Sequence, residues 1–152
     1  MNLLSYYAVV EDAITQLGIK ADNARCDGEG EWMILKEGFE MYIDIWGPEP
    51  KSQWQYYLAE NPEPLFQIIC PLAKVAVETN LEKLFEDLMQ LNFHLYYASF
   101  MFNGPEKIIA LQYRRLATGL NQREVLEPLN AIGYYATQLS SILLNKFKLE
   151  KL

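Results

Sequence analysis

The chain has 152 residues, of which 51% are hydrophobic and 22% are charged, and its formal net charge is −7. This length suits a single domain, 1–152, with its own hydrophobic core, and the composition excludes a disordered or low-complexity chain. The acidic balance argues against nucleic-acid binding, and no apolar run approaches the roughly 20 residues of a membrane-spanning helix.

The beginning of the chain does not have the pattern of a secretory signal. Residues 1–7 contain no basic side chain, and Glu11 and Asp12 interrupt the apolar residues that follow. The two cysteines, Cys26 and Cys70, lie far apart, so neither a zinc motif nor a disulfide framework is indicated. We therefore expect a cytoplasmic protein with free thiols.

The first half of the chain predicts one helix followed by strands. Apolar residues recur at three- and four-residue spacing over residues 3–17, which is typical of an amphipathic helix, and residues 21–30 predict an exposed connection. Residues 32–35 and 39–46 predict two antiparallel strands. Alternation in the second of them puts Met41, Ile43 and Ile45 on the core face. Residues 65–72 predict a third strand, whereas residues 53–58 either extend the sheet or lie across it.

The middle of the chain predicts a helix and a hairpin. Thr79 and Glu82 match a capping box that would begin the helix. Residues 95–102 and 107–113 predict two strands, which Asn103 and Gly104 would join in a two-residue turn.

The end of the chain predicts a long helix. Asn121 and Glu124 repeat the capping box, and an apolar stripe then continues from Val125 to Phe147. The predicted order is α-β-β-β-α-β-β-α, with three or four strands before the middle helix. The expected fold class is α+β, with helices packed on a twisted antiparallel sheet.

Catalytic and metal-binding patterns are weak. His94 is the only histidine, and a structural or solvent-facing role is the better interpretation. Arg25 could lower the pKa of the Cys26 thiol, but no base is close in sequence. Glu40 and Asp44 alternate on one strand face, where we expect solvated carboxylates without a raised pKa. We therefore predict no catalytic residue, metal or cofactor.

Aromatic residues are numerous and fall on strand faces that a simple core does not need. Ten Tyr, seven Phe and three Trp make up 13% of the chain. We interpret this excess as a protein interface, with better core packing as the alternative. The expected protein-binding residues are Tyr42, Trp46, Trp54, Tyr56, Tyr96, Phe100 and Phe102.

The order of the predicted elements resembles the type III secretion chaperone-like fold. The elements that carry this resemblance are an amphipathic first helix, a first set of strands, the helix opening at Thr79, the Asn103–Gly104 hairpin and the final helix. This order is most similar to the YbjN-type relatives found outside secretion systems. The resemblance implies a homodimeric α+β domain that binds proteins without chemistry. In secretion chaperones, apolar patches on the sheet and first helix hold an extended effector segment.

Three functions remain open from the sequence. The favoured one is a homodimeric, non-enzymatic chaperone or regulatory adaptor that holds a protein segment on an aromatic sheet surface. A small-molecule binder or enzyme could instead use tyrosine hydroxyls and Arg114 or Arg115 for an anionic ligand between sheet and helices. In the third, self-association alone accounts for the exposed aromatics.

Overall fold

The computed structural model describes residues 2–47 and 63–152. The helices are α1 (Leu3–Gln16), α2 (Ala21–Ala24), α3 (Leu81–Asn92) and α4 (Gln122–Phe147). The strands are β1 (Glu31–Lys36), β2 (Phe39–Trp46), β3 (Leu65–Lys74), β4 (Ser99–Asn103), β5 (Ile108–Leu116) and β6 (Glu150–Lys151). The expectation for residues 53–58, and with it Trp54 and Tyr56, lies outside the described residues.

The strands form one antiparallel sheet in the order β1-β2-β3-β5-β4. The short β6 pairs with β3 at Ala73 and Lys74, beyond the part of β3 that pairs with β2. This arrangement confirms the predicted α+β class and the antiparallel sheet. The elements α2 and β6 are additions to the predicted order.

One face of the sheet packs against the helices. Met41, Ile43 and Ile45 are buried on this face, as their alternation predicts. Full burial of an aliphatic side chain of this size contributes about 1.5–3 kcal/mol. The core joins them to residues of the other strands and of α1, α3 and α4, among them Val10, Ile14, Phe66, Ile68, Leu84, Ile109, Leu129 and Ile132. None of the described helices is long and apolar enough to cross a membrane.

Asparagine side chains begin the two later helices. The Asn121 side chain accepts a hydrogen bond from the Glu124 amide at 3.0 Å, which confirms Asn121 as the cap of α4. For α3 the cap is Asn80, which accepts from the Lys83 amide at 3.1 Å. The prediction of Thr79 as this cap was wrong by one residue, because the Thr79 hydroxyl instead accepts a backbone amide of the preceding turn.

The turns of the two hairpins differ in length. Glu37 and Gly38 join β1 and β2 with φ values of 55° and 85°, the positive pair that a tight two-residue hairpin requires. The predicted Asn103–Gly104 turn was wrong. Four residues, 104–107, join β4 to β5, and the Asn103 side chain accepts the Glu106 amide at 3.3 Å within this longer turn. The strand before it is also shorter than predicted, since β4 begins at Ser99.

Candidate protein-binding surface

The side of the sheet opposite the core carries a continuous set of strand side chains. On β2, Tyr42, Asp44 and Trp46 alternate with the buried core residues. The strand register places Asp44 beside Gln67 of β3 and Gln67 beside Arg114 of β5. We call this side, which bears these residues, the open face. The core helices α1, α3 and α4 pack on the other side, so none of them covers it.

A groove of about 560 Å³ crosses the open face. This volume falls within the range of ordinary ligand-binding clefts. Its apolar floor is formed by Ile69, Pro71, Met101, Ile108 and Ala110. Ala110 is only 2% exposed although it is outside the core cluster, because the larger neighbours on the open face surround its methyl group. The groove is therefore an apolar surface built on strands.

Asp44 is the most perturbed carboxyl group of the groove. Burial, followed by the nearby charge of Glu31, raises its pKa from 3.8 to about 6, and a hydrogen bond with the Gln67 side chain opposes the change. The expectation that Glu40 and Asp44 are equivalent solvated carboxylates was wrong for Asp44. Glu40 is exposed and accepts a hydrogen bond from the Tyr42 hydroxyl at 2.7 Å.

The structure divides the predicted aromatic set between the two sides of the sheet. Tyr42 and Trp46 lie on the open face, where the Arg114 guanidinium stands 5.7 Å from the centre of the Trp46 ring. Phe100 is 7% exposed and belongs to the core. Phe102 lies on the same side of β4 as Phe100, with its ring 5.1 Å from that of Phe85. The expectation of a single aromatic surface is corrected accordingly, since Phe100 is not available to a partner in this fold.

A second group of exposed apolar side chains lies on α3, on β4 and on the segment that connects them. We call it the aromatic corner; it consists of Met89, Phe93, Tyr96, Tyr97 and Phe102. Phe93 and Tyr96 are 86% and 77% exposed, which is high for two large aromatic side chains only three residues apart in the chain. The backbone here is held in place, because the Tyr96 amide donates to the Tyr135 hydroxyl at 3.0 Å on α4.

Asn92 covers part of the sheet edge. Its side chain accepts a hydrogen bond from the Phe100 amide at 2.6 Å and donates one to the Phe100 carbonyl at 3.3 Å. Both backbone groups of Phe100 point to the free side of β4, so the Asn92 amide occupies the place that an added strand would need. The sequence reasoning missed this role, although an asparagine at a helix end just before a strand could have suggested it.

The described residues do not bring a set of metal-ligating side chains together. No three of their His, Cys, Asp and Glu side chains are placed to hold a metal ion together. The Arg25 guanidinium is paired with a carboxylate and not with the Cys26 thiol, since two of its nitrogens donate to Glu11 at 2.6 and 2.8 Å. Burial and the neighbouring carboxylates raise the pKa of the Cys26 thiol instead. His94 is exposed and packs edge-on against the Phe93 ring.

Arg114 and Arg115, proposed above for an anionic ligand, point to opposite sides of the sheet. Arg114 lies over Trp46 on the open face. Arg115 donates to a Glu124 carboxylate oxygen at 2.7 Å and to the Thr118 carbonyl at 2.8 Å. The two arginines are therefore not combined in one pocket between sheet and helices.

Several solved structures share the fold of this chain. The chain is similar to a structure of the ExsC–ExsE complex, with a TM-score of 0.59 and 19% identity, over 94% of this chain and 97% of that one. It is also similar to the Yersinia pestis type III secretion chaperone SycH in complex with a fragment of YscM2, with a TM-score of 0.55 and 10% identity, over 89% of this chain and 99% of that one. The chain has the type III secretion chaperone-like fold.

A further neighbour with this fold is the HopA1–SchA chaperone–effector complex, with a TM-score of 0.58 and 9% identity, over 90% of this chain and 93% of that one. No protein-family model matches the chain, and no curated protein is detectably similar to it in sequence. The predicted fold is thus confirmed, and the narrower relationship to YbjN-type proteins stays a prediction.

Proposed function

We propose that this protein is a non-enzymatic binding module that holds an extended segment of another protein on the open face. The observation that carries the proposal is the apolar groove built on the strands and left uncovered by the described helices. Solved proteins with this fold include a chaperone–effector complex, which supports a chaperone-like or adaptor role here. Burial of apolar side chains of the client in the groove would supply the binding free energy.

The proposal places the protein in the cytoplasm, because Cys26 and Cys70 are free thiols. It also includes a homodimer formed through the aromatic corner. Exposed aromatic side chains of this kind are typical of interfaces, and Phe102 faces the side of β4 opposite Met101 of the groove. One molecule could then dimerise and bind a client at the same time.

A pull-down from the native cytoplasm tests the client proposal. A tagged protein with Tyr42→Ser and Met101→Ser removes two side chains of the groove, and Val77→Ser removes a fully exposed apolar side chain elsewhere. We expect a stoichiometric partner that is retained by the wild type and the Val77 variant and lost by the groove variant, with all three folded by circular dichroism. Equal retention by all three would contradict the assignment of the open face.

Light scattering tests the dimer separately. Phe93→Ser with Met89→Ser should convert a dimer to a monomer, because both residues are highly exposed in the single chain. Val77→Ser again serves as the control. A dimer that persists in the Phe93/Met89 variant would exclude the aromatic corner as the interface.

A further inference from the structure

The groove runs across the strands, from one edge of the sheet to the other. Glu31 of β1 lines one end, and Asn103 and Glu106 at the β4 turn line the opposite end. Four strand spacings separate β1 from β4 in the sheet order, which is roughly 19 Å at about 4.8 Å each. The groove is diagonal, because the row of Glu31 meets β5 at Arg114 and the row of Asn103 meets it at Ile108. This offset adds roughly 20 Å along the strands, so the ends lie roughly 28 Å apart, the length of about eight residues of extended chain.

The lining of the groove carries charge of one sign. Glu31, Glu40, Asp44 and Glu106 contribute carboxyl groups, and no Lys, Arg or His is among the described residues that line it. The four groups are spread along the groove, and no three of them are placed to hold a metal ion together. Separated carboxylates around an apolar floor suit separated positive charges on one chain.

Cations at the margin of the open face do not reverse this field. Lys74 of β3 is paired across strands with Glu150 of β6, so an opposite charge lies beside it. Arg114 lies in the same cross-strand row as Asp44 and Gln67, but its guanidinium stacks on Trp46 and it does not line the groove. The charged groups that line the apolar floor are therefore all acidic.

We propose that the groove selects an extended protein segment of about eight residues with an apolar middle and a Lys or Arg at each end. The inference rests on the proposed protein-binding function and gives the chemistry of the client. The apolar middle would lie on Ile69 and Ala110, and the terminal cations would pair with Glu31 and Asp44 at one end and with Glu106 at the other. Spacing of the charges, more than their number, distinguishes such a client from other basic peptides.

Synthetic fluorescent peptides test this preference by anisotropy. The first peptide has a six-residue apolar middle of valine and leucine with a lysine at each end. A second peptide has the same composition with both lysines together in the middle, and a third replaces the lysines by glutamates. The second peptide is essential because the net charge of −7 attracts any cation weakly.

Charge-neutral variants complete the design. Glu31→Gln with Glu106→Gln removes a carboxylate from each end of the groove, whereas Glu78→Gln with Glu82→Gln removes two exposed carboxylates elsewhere and leaves the same net charge. We expect the first peptide to bind the wild type most tightly. The groove variant should bind it about three- to tenfold more weakly and the control variant should not, since exposed ion pairs contribute little individually. The preference should also shrink at high salt.

The outcomes separate the two proposals. Equal binding of all three peptides, or equal weakening by both double variants, would overturn the charge selection while leaving protein binding intact. If no peptide binds and Tyr42→Ser with Met101→Ser breaks a dimer in light scattering, a second copy of this chain covers the groove, and both proposals fail.

Discussion

Replacing Asp44 by asparagine should stabilise the protein at neutral pH. Asparagine has nearly the same shape and keeps an oxygen that can bond with Gln67, but it carries no charge. The carboxylate of Asp44 is penalised in the native state by burial first and by Glu31 second. In the unfolded chain both penalties are absent, so removing the charge favours the folded state.

The magnitude follows from the pKa change. The pKa of Asp44 rises from 3.8 to about 6, which is about two units, and each unit corresponds to about 1.36 kcal/mol. The gain from Asp44→Asn at pH 7.5 is thus at most about 3 kcal/mol, and we expect about 1–3 kcal/mol. Because the folded state binds the proton more tightly, stability falls as pH rises from about 4 to about 6. Above that window the cost is fully present.

Urea denaturation at pH 7.5 and pH 4 measures this effect directly. The variant should be more stable than the wild type at pH 7.5, and the difference should shrink towards pH 4, where the native carboxyl group is protonated. Asp12→Asn, at an exposed position on α1, is the matched control and should change little at either pH. A pH-independent difference, or destabilisation at pH 7.5, would refute the assignment of a buried charge to Asp44.

Substitutions at three further positions test the fold by urea denaturation. Asn92→Ala should destabilise the protein by about 1–2 kcal/mol, since it frees both backbone groups of Phe100, and Asn92→Asp should cost less because it still accepts from the amide. Ile132→Ala should cost about 2–5 kcal/mol, as expected for a cavity at a fully buried site, and a smaller loss would mean that α4 is not packed as described. Glu11→Gln should cost up to about 1 kcal/mol at neutral pH. Its bond with Arg25 lowers the Glu11 pKa below 4.5, so the difference from wild type should vanish as pH falls through that range.

The sheet and its core face could be predicted because strand alternation is a local property. Met41, Ile43 and Ile45 recur at every second position, and a period of two puts them on one face whatever the rest of the chain does. The cap of α3 was misplaced because Thr79 and Asn80 are adjacent and both can cap a helix. For α3 the local pattern thus established the helix and left its first residue uncertain by one position.

The candidate site depends on residues that meet only in the folded sheet. Alternation alone could not show that Phe100 is buried in the core or that Phe102 packs beside Phe85 of α3, since the side of β4 on which a helix packs is a tertiary property. The raised pKa of Asp44 was missed for the same reason, because Glu31 and Gln67 belong to two other strands. The sequence therefore predicted aromatic side chains on the sheet outside the core, but it did not predict which of them share one face.

The contact between α1 and α4 has a consequence for biosynthesis. The helix α1 packs against α4, which ends at Phe147 more than 100 residues later, and β3 joins hairpins that lie on either side of it in the sheet. Such distant pairings slow folding, because the chain must close large loops before the contacts form. A nascent chain on the ribosome therefore keeps the apolar stripe of α1 without its partner until α4 has left the exit tunnel. During its own synthesis, a module proposed to hold extended segments of other proteins would therefore itself be extended, with apolar residues not yet buried.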